Sequence, residues 1–134
     1  NILAKIEAID AGVLEALMLN IDGEVAECTG DNIFIIKDGK ISTPYTEAGI
    51  LKGITRQFVI NTIAPALGYT VEERSISLDE VKDADEIFLT GTAAEIIGVS
   101  HIGHDAIGSG KVGSITKKLI QEFQQQVSTD APED

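Results

Sequence analysis

The sequence predicts an α+β fold. Short apolar segments separated by turn signals cluster in the first third of the chain, and segments with helical periodicity are interspersed among the later strands. Strands and helices do not alternate regularly, as they would in a doubly wound parallel sheet. The apolar content of 43% excludes disorder throughout, and no linker or internal repeat divides the 134 residues. We therefore expect a single domain.

The first part of the chain is predicted to form a helix followed by a meander of antiparallel strands. Residues 2–11 have apolar side chains at helical spacing and are followed by Gly12, a residue type that often ends helices. Two Asp-Gly pairs are typical of hairpin turns. The strands around them are predicted at residues 15–20, 24–28, 32–37 and 40–43, and a loop is predicted over residues 44–52.

The second part is predicted to mix helices and strands. Residues 54–67 have helical periodicity, and we expect Pro65 to kink or shorten the last turn. Ser77 and Glu80 form a capping box that opens a short helix ending near Ala84. Further strands are predicted at residues 70–75, 86–90 and 96–102, and a last helix at residues 114–127.

The composition excludes several classes of function. Ten basic and 22 acidic residues give a net charge of −12, so the surface repels nucleic-acid phosphates and anionic membranes. No apolar run approaches the ~18 residues of a transmembrane helix. A single cysteine indicates a reducing compartment, and we expect a cytoplasmic protein. Because the chain starts at Asn1 and its only methionine is Met18, either its start was trimmed or it is a piece of a longer protein.

Three patterns that can mark a site are better explained by structure alone. Residues 108–113 contain G-x-G-x-x-G, but no strand with an acidic residue follows about 20 positions later, as a dinucleotide fold requires. We expect a glycine-rich turn before the last helix. His101 and His104 lie far in sequence from Cys28, and we predict no metal site. Cys28 has no local base and is predicted to be a small buried hydrophobe.

Three other segments combine into a candidate ligand site. Residues 25–32 place the carboxylate of Glu27 at a strand end among apolar neighbours. Residues 51–56 place a glycine and a threonine at a helix start, where N–H groups and a hydroxyl can bind an anion. Residues 89–96 contain a second turn with a hydroxyl and exposed amides. Two interpretations stay open: a ligand with a phosphate at one end and a cationic ring nitrogen at the other, or two turns and a strand without a ligand.

The same segments carry a family resemblance. From Asn1 to about Val127 the chain resembles the C-terminal half of the fold-type IV, pyridoxal-phosphate-dependent aminotransferases, and it is most similar to the branched-chain amino-acid aminotransferases. The motifs, in the family's order, are VAECTGDNIF (25–34), LKGITR (51–56), ADEIFLTGTAAEI (84–96) and GSGKVGSITKKL (108–119). The Gly-Thr-Ala-Ala form at residues 91–94 favours the branched-chain enzymes over the D-amino-acid transaminases.

The resemblance implies a fold and a domain division. The expected architecture is the family's larger domain, a barrel-like antiparallel sheet flanked by helices. Residues 1–127 would be most of this C-terminal domain, which binds the cofactor. Residues 128–134 are predicted to be a disordered acidic tail.

The resemblance also implies that the cofactor is pyridoxal 5′-phosphate (PLP). The residues that correspond to the family's cofactor contacts are Glu27, Leu51, Gly53, Ile54, Thr55 and Thr92. Glu27 corresponds to the carboxylate that pairs with the pyridine nitrogen, and Leu51 to the residue packed on the ring face. Ile54 and Thr55 correspond to the backbone and hydroxyl donors to the phosphate, and Thr92 to a second phosphate contact.

The activity that the resemblance implies is amino-group transfer between branched-chain amino acids and 2-oxoglutarate, in a homodimer. The amides of Thr92 and Ala93 correspond to those that hold the substrate carboxylate. The family's Schiff-base lysine corresponds to a position before Asn1, so we expect this chain to contain no catalytic residue and to be inactive alone. Two alternatives remain: a D-amino-acid transaminase of the same family, and a non-catalytic module that binds small phosphorylated ligands.

Overall fold

The computed structural model describes residues 2–8, 14–29, 31–46, 53–91 and 95–130, and within them the fold is α+β, as predicted. The strands are β1 Ile2–Ala8, β2 Leu14–Leu19, β3 Val25–Cys28, β4 Asp31–Lys37, β5 Lys40–Pro44, β6 Val71–Arg74, β7 Glu86–Gly91, β8 Ile96–Ile102 and β9 Asp105–Ala106. The helices are α1 Ile54–Phe58, a π-helical turn Val59–Ile63, α2 Ala64–Ala66, α3 Leu78–Lys82 and α4 Ser114–Asp130.

Six antiparallel strands close into a barrel. Neighbours in the order β3-β2-β1-β8-β7-β4 are hydrogen-bonded, and β4 also pairs with β3, which closes the ring. Outside the ring, β5 pairs antiparallel with β4, and β6 pairs in parallel with β5. The barrel-like antiparallel sheet that the resemblance implies is therefore confirmed.

Side-chain alternation gives the sheet two apolar faces, each with its own core. On β4, Ile33 and Ile35 belong to a cluster that collects side chains from all six barrel strands. Phe34 and Ile36 belong to a second cluster, in which the π-helical turn, α2 and α4 pack against the sheet. Phe34 stacks on Phe88 of β7 with ring centroids 4.6 Å apart. Burial of both faces explains the continuous apolar run in this strand.

Residues 2–11 do not form the predicted helix, because residues 2–8 are strand β1, which pairs with β2 and β8. Residues 2–8 satisfy both periodicities, since their even-numbered positions are also apolar in alternation. In the barrel Ile6 is fully buried, while Lys5 and Glu7 are exposed. Strand pairing on both sides decides the conformation, and the rest of the predicted helix lies outside the described residues.

The local signals for turns and caps are confirmed. Asp38 and Gly39 have φ angles of 51° and 77°, as the tight turn between β4 and β5 requires. The capping box at α3 is complete, because the Glu80 amide donates to Ser77 Oγ at 3.2 Å and the Ser77 amide donates to Glu80 Oε1 at 3.3 Å. Each signal involves residues four or fewer apart, so it is independent of the tertiary fold.

The two longer helices differ in detail from their predictions. The helix predicted for residues 54–67 is present but contains the π-helical turn, and Pro65 lies in its last segment, α2, which ends at Ala66. The last helix continues to Asp130, so residues 128–130 are helical and not part of the predicted tail. Residues 131–134 lie outside the described residues. Among the helices of the described ranges, none combines the length and apolar character needed to cross a membrane.

Candidate functional site

The three segments of the candidate site meet, through their described members, at one end of the barrel. Cys28 at the end of β3 pairs with Asp31 at the start of β4. Asp31 in turn lies opposite Gly91, the last residue of β7. The hydroxyl of Thr55, in the first turn of α1, donates to the Gly91 carbonyl oxygen at 3.1 Å. A helix start and two strand ends that are remote in sequence are thus in direct contact.

Two glycines allow this close approach. A β-carbon at residue 53 would lie 2.6 Å from Oδ1 of Asn32, a buried residue of β4. A β-carbon at residue 91 would overlap the carboxylate of Asp31. A larger residue at either position would force the Asn32 or Asp31 side chain to move. The backbone of residues 53–55, at the start of α1, is here named the cradle.

The cradle offers donors suited to an anion. Gly53, the N-cap residue of α1, has no side chain that could cap the helix, and the first-turn amides of an α-helix have no acceptor within the helix. The helix macrodipole adds partial positive charge at this end. The Ile54 side chain is 89% exposed, so the first turn is open to solvent, and Thr55 is half-buried. Neutral N–H and O–H donors at a helix start are the chemistry that binds a phosphate.

Directly after the cradle comes a fully buried guanidinium. Arg56 is 0% exposed, and its Nη2 donates to the Pro44 carbonyl oxygen at 3.0 Å and to Glu73 Oε1 at 2.7 Å. Arg56 was not among the predicted site residues. The sequence did contain a sign of it, because Arg56 is a charged residue within the apolar periodicity of a predicted helix. Glu73 gave no such signal, since it lies in an acidic stretch that is otherwise typical of a solvated surface.

Glu27 lies half-buried on β3, opposite Met18 of β2. The next residue, Cys28, is fully buried in the barrel core, as predicted. Burial raises the pKa of its thiol, and the charges of Glu15, Asp31 and Glu27 raise this pKa further. Glu27 therefore belongs to an acidic group at the same barrel end as the cradle. A carboxylate there can pair with a protonated ring nitrogen.

Two neighbouring carboxyls share a hydrogen bond. Burial raises the pKa of Glu15, and the charge of Asp31 and the hydrogen bond with it raise this pKa further. Burial raises the pKa of Asp31 as well, although the hydrogen bond with Glu15 opposes the shift. A hydrogen bond between two carboxyls requires a proton on one of them. The pair therefore retains a proton to a higher pH than two isolated carboxyls.

The structure describes four of the seven predicted site residues. Gly53, Ile54 and Thr55 form the cradle, and Glu27 lies on the strand that ends at the same side of the barrel. Leu51, Thr92 and Ala93 lie outside the described residues. Gly91, which bonds to Thr55, is the first residue of the second predicted turn.

The glycine-rich turn before α4 has a structural partner. The amides of Ile115 and Thr116 donate to the carboxylate of Glu86 on β7, at 3.3 and 2.8 Å. The first-turn donors of α4 are therefore occupied by the chain's own carboxylate. This contrast with the uncapped α1 favours the cradle as the anion site. The prediction of a glycine-rich turn leading into a helix is confirmed.

Comparisons with known proteins agree on one family. The family model described as amino-transferase class IV matches residues 1–102. The "Probable branched-chain-amino-acid aminotransferase" of Aquifex aeolicus is 53% identical over 121 residues, which are 90% of this chain and 39% of that protein. A D-alanine aminotransferase of Listeria monocytogenes is 42% identical over 127 residues, which are 95% of this chain and 43% of that protein.

A solved structure has the same fold. The branched-chain amino acid aminotransferase from Thermobaculum terrenum, in its PLP form, superposes with a TM-score of 0.82 at 40% sequence identity. The match covers 87% of this chain and 38% of that one. The chain spans about two fifths of the length of the curated relatives it matches.

Proposed function

Because the chain belongs to the class IV aminotransferases, we propose that the enzyme containing it transfers an amino group between branched-chain amino acids and 2-oxoglutarate, with PLP as its cofactor. Several similar proteins are named branched-chain-amino-acid aminotransferases, and one similar structure is the PLP form of such an enzyme. The observation that carries the proposal is the hydrogen bond between Thr55 and Gly91, because it joins two of the motifs to which the resemblance assigns phosphate contacts.

The residues present fit the cofactor's phosphate. Gly53 leaves room for the Asn32 side chain beside the cradle, and the amides of Ile54 and Thr55 with the Thr55 hydroxyl would donate to phosphate oxygens. The buried charge of Arg56 lies directly behind these donors in the chain. By the resemblance, Leu51 would pack on the ring face and Thr92 would add a phosphate contact. These neutral donors bind an anion without a large desolvation cost.

Glu27 would hold a proton on the cofactor's ring nitrogen. When bound, PLP supplies an electron-deficient ring that stabilises negative charge developing at the α-carbon of an amino acid. A carboxylate beside the ring nitrogen favours its protonated form. The amides of Thr92 and Ala93 would orient the substrate by its carboxylate. The chain's own residues would thus bind and orient both molecules.

A binding experiment tests the cradle directly. The ¹⁵N-labelled chain is titrated with pyridoxamine 5′-phosphate, and with pyridoxamine as a matched ligand without phosphate. Neither ligand has an aldehyde, so neither reacts with surface lysines. We expect shifts of the Ile54 and Thr55 amide resonances and at least roughly tenfold tighter binding of the phosphorylated ligand. Equal affinities, or shifts confined to other residues, would overturn the proposed phosphate site.

The chain alone is expected to show no transaminase turnover. The resemblance places the lysine that forms a covalent bond with PLP before Asn1, and nucleophilic catalysis requires that group. The measurement is leucine-dependent formation of glutamate from 2-oxoglutarate by purified residues 1–134. The enzyme that contains this chain serves as the positive control. Turnover by the chain alone would contradict this expectation.

The D-amino-acid transaminase remains a second candidate, because D-alanine aminotransferases of Listeria monocytogenes are also among the similar proteins. The full-length enzyme's relative rates with L-leucine and D-alanine decide between the two. A non-catalytic module would instead bind phosphorylated ligands of any kind. Substituting Glu27 would then leave the affinity for pyridoxamine 5′-phosphate unchanged.

We also propose that the enzyme is a homodimer in the cytoplasm. The dimer follows from the resemblance, and the cytoplasmic location from the single cysteine, which is buried and free. Light scattering coupled to size-exclusion chromatography of the full-length enzyme measures the mass of the assembly. A monomeric mass at micromolar concentration would contradict the dimer.

A further inference from the structure

Arg56 is a buried cation that has no part in the chemistry proposed above. It is the third residue of α1 and the first after the cradle, and no part of its side chain reaches solvent. Glu73, its acidic partner, has a side chain that is 42% exposed. The pair is therefore asymmetric, because only the guanidinium has lost its hydration. A buried charge of this kind is costly and is weak support for stability.

The guanidinium is also incompletely hydrogen-bonded. Within the described part of the chain, Nε and Nη1 have no hydrogen-bond partner. Unsatisfied buried donors add to the cost of keeping a charge at this position. An apolar side chain of similar length would fill the same volume without that cost. Stability alone is therefore a poor explanation for an arginine here.

The contacts of Arg56 fix the start of α1 from one side. A single nitrogen, Nη2, bridges the Pro44 carbonyl at the end of β5 and the Glu73 carboxylate on β6. The preceding residue, Thr55, bonds to Gly91 of β7. Thr55 is thus tied to the strand on one side of β4, and Arg56 to the two strands on its other side. Gly53, the N-cap residue, offers no side-chain cap that could hold this turn in place instead.

We propose that Arg56 is a positioning residue that, through Pro44 and Glu73, sets where the cradle amides point and so determines the affinity for the phosphate group. The inference rests on the proposed function, because it assumes that the cradle binds the phosphate of a pyridoxal compound. Arg56 does not touch the ligand in this role. It holds the donors of Ile54 and Thr55 in the arrangement that a phosphate needs.

Two possible roles of Arg56, through its charge or through its position, predict opposite effects of Glu73→Ala. If Arg56 acted only through its charge, Glu73→Ala would remove a compensating negative charge and tighten phosphate binding. If Arg56 acts by position, Glu73→Ala breaks the tether and weakens phosphate binding. Glu73→Gln keeps an acceptor oxygen at the same place and is expected to preserve the tether. The sign of the Glu73→Ala effect therefore separates the two roles.

The test is the ratio of affinities for pyridoxamine 5′-phosphate and pyridoxamine, measured by titration of the ¹⁵N-labelled chain. A merely structural defect lowers both affinities, whereas a displaced cradle lowers only the first. We expect the ratio to fall about tenfold in Arg56→Met and Glu73→Ala, and to stay within about twofold of wild type in Glu73→Gln. Arg56→Lys keeps the charge but not the planar guanidinium that places Nη2 between the two acceptors, and its ratio is expected to fall as well.

A matched control addresses stability. Val81→Ala removes buried apolar volume in α3, in the core cluster that contains Ile33 and Ile35. This variant is expected to lower the midpoint of urea unfolding without changing the ratio of the two affinities. A wild-type ratio near one would refute the phosphate site itself. A high wild-type ratio that is unchanged in Arg56→Met and Glu73→Ala would refute the positioning role and leave the proposed function standing. Tighter binding of pyridoxamine 5′-phosphate in Glu73→Ala would refute the positioning role and indicate that Arg56 acts through its charge.

Discussion

At the scale of single residues, the Thr55 hydroxyl has one hydrogen and two candidate acceptors, the Gly91 carbonyl and a bound phosphate. In this structure the hydrogen goes to the Gly91 carbonyl. The role implied by the resemblance gives it to the phosphate. A threonine hydroxyl can donate only one hydrogen bond, so a bound phosphate that takes this hydrogen releases the bond to β7. The cradle and the end of β7 are therefore expected to be coupled through this hydroxyl.

Thr55→Val tests the hydroxyl, because it keeps the shape of the side chain and removes the donor. We expect its affinity for pyridoxamine 5′-phosphate to fall roughly fivefold to tenfold, since a hydrogen bond to a charged group is lost. Thr55→Ser keeps the hydroxyl and is expected to bind like wild type. The NMR titration described above measures both variants. Unchanged affinity in Thr55→Val would mean that the hydroxyl only links α1 to β7.

Glu27 is expected to act on the ring and not on the phosphate. Glu27→Gln cannot pair as an anion with a protonated ring nitrogen, so the affinity for pyridoxamine 5′-phosphate is expected to fall about tenfold. The affinity for inorganic phosphate is expected to stay the same. Glu7→Gln, an exposed substitution on β1, is the matched control. Equal losses for both ligands would place Glu27 at the phosphate instead.

At the scale of elements, the starts of α1 and α4 use their free amides differently. The α4 amides bind Glu86, which lies 29 residues before the first of them in sequence, whereas the N-cap residue of α1 is a glycine without a side chain to cap the helix. A carboxylate at a helix start satisfies two donors and interacts favourably with the macrodipole. The same local feature thus serves stability in one helix and the proposed binding in the other.

Glu86→Ala is expected to destabilise the chain by about 1–2 kcal/mol, because a helix start loses its cap. Urea unfolding gives the change in the free energy of unfolding. Asp105→Ala, an exposed change on β9, is the control and is expected to have little effect. The affinity ratio for the two pyridoxamine ligands should not change in Glu86→Ala. A changed ratio would mean that α4 also shapes the cradle.

Elements were predictable where neighbouring residues alone decide them. The Asp38-Gly39 turn and the Ser77–Glu80 capping box depend on a few adjacent residues, and both are present. Strand β1 was predicted as a helix because its apolar residues fit two periods, and only the neighbours β2 and β8 select one. The two-residue strand β9 was not predicted, because its pairing with β8 is a tertiary contact.

At the scale of the whole molecule, closure of the barrel collects acidic groups at one end. Glu15 comes from β2 and Asp31 from β4, and the two are linked through β3. Cys28 and Glu27 of β3 lie beside them. The folded chain raises the pKa of both carboxyls above their ordinary values of 4.5 and 3.8. Folding therefore favours protonation of the pair, and ionisation of the pair destabilises the fold.

The sign of the pH dependence follows from the raised pKa values. The pair's contribution to stability is fully present below the ordinary pKa values and is lost as the pH rises through the raised ones. We expect Asp31→Asn to be more stable than wild type at pH 7, and the difference to shrink toward pH 4. Urea unfolding at several pH values measures this, with Asp105→Asn as the exposed control. A difference that is constant with pH would show that the pair does not share a proton.

The sequence by itself determined the α+β class, the local turns and caps, and the three segments of the candidate site. Each depends on residue types and short spacings, which a sequence shows directly. Only the tertiary structure decided that β1 is a strand, that Glu86 caps α4, and that Glu73 pairs with Arg56. These contacts join residues remote in sequence, and their geometry exists only once the barrel has closed. The same closure places Thr55 against Gly91 and so forms the cradle.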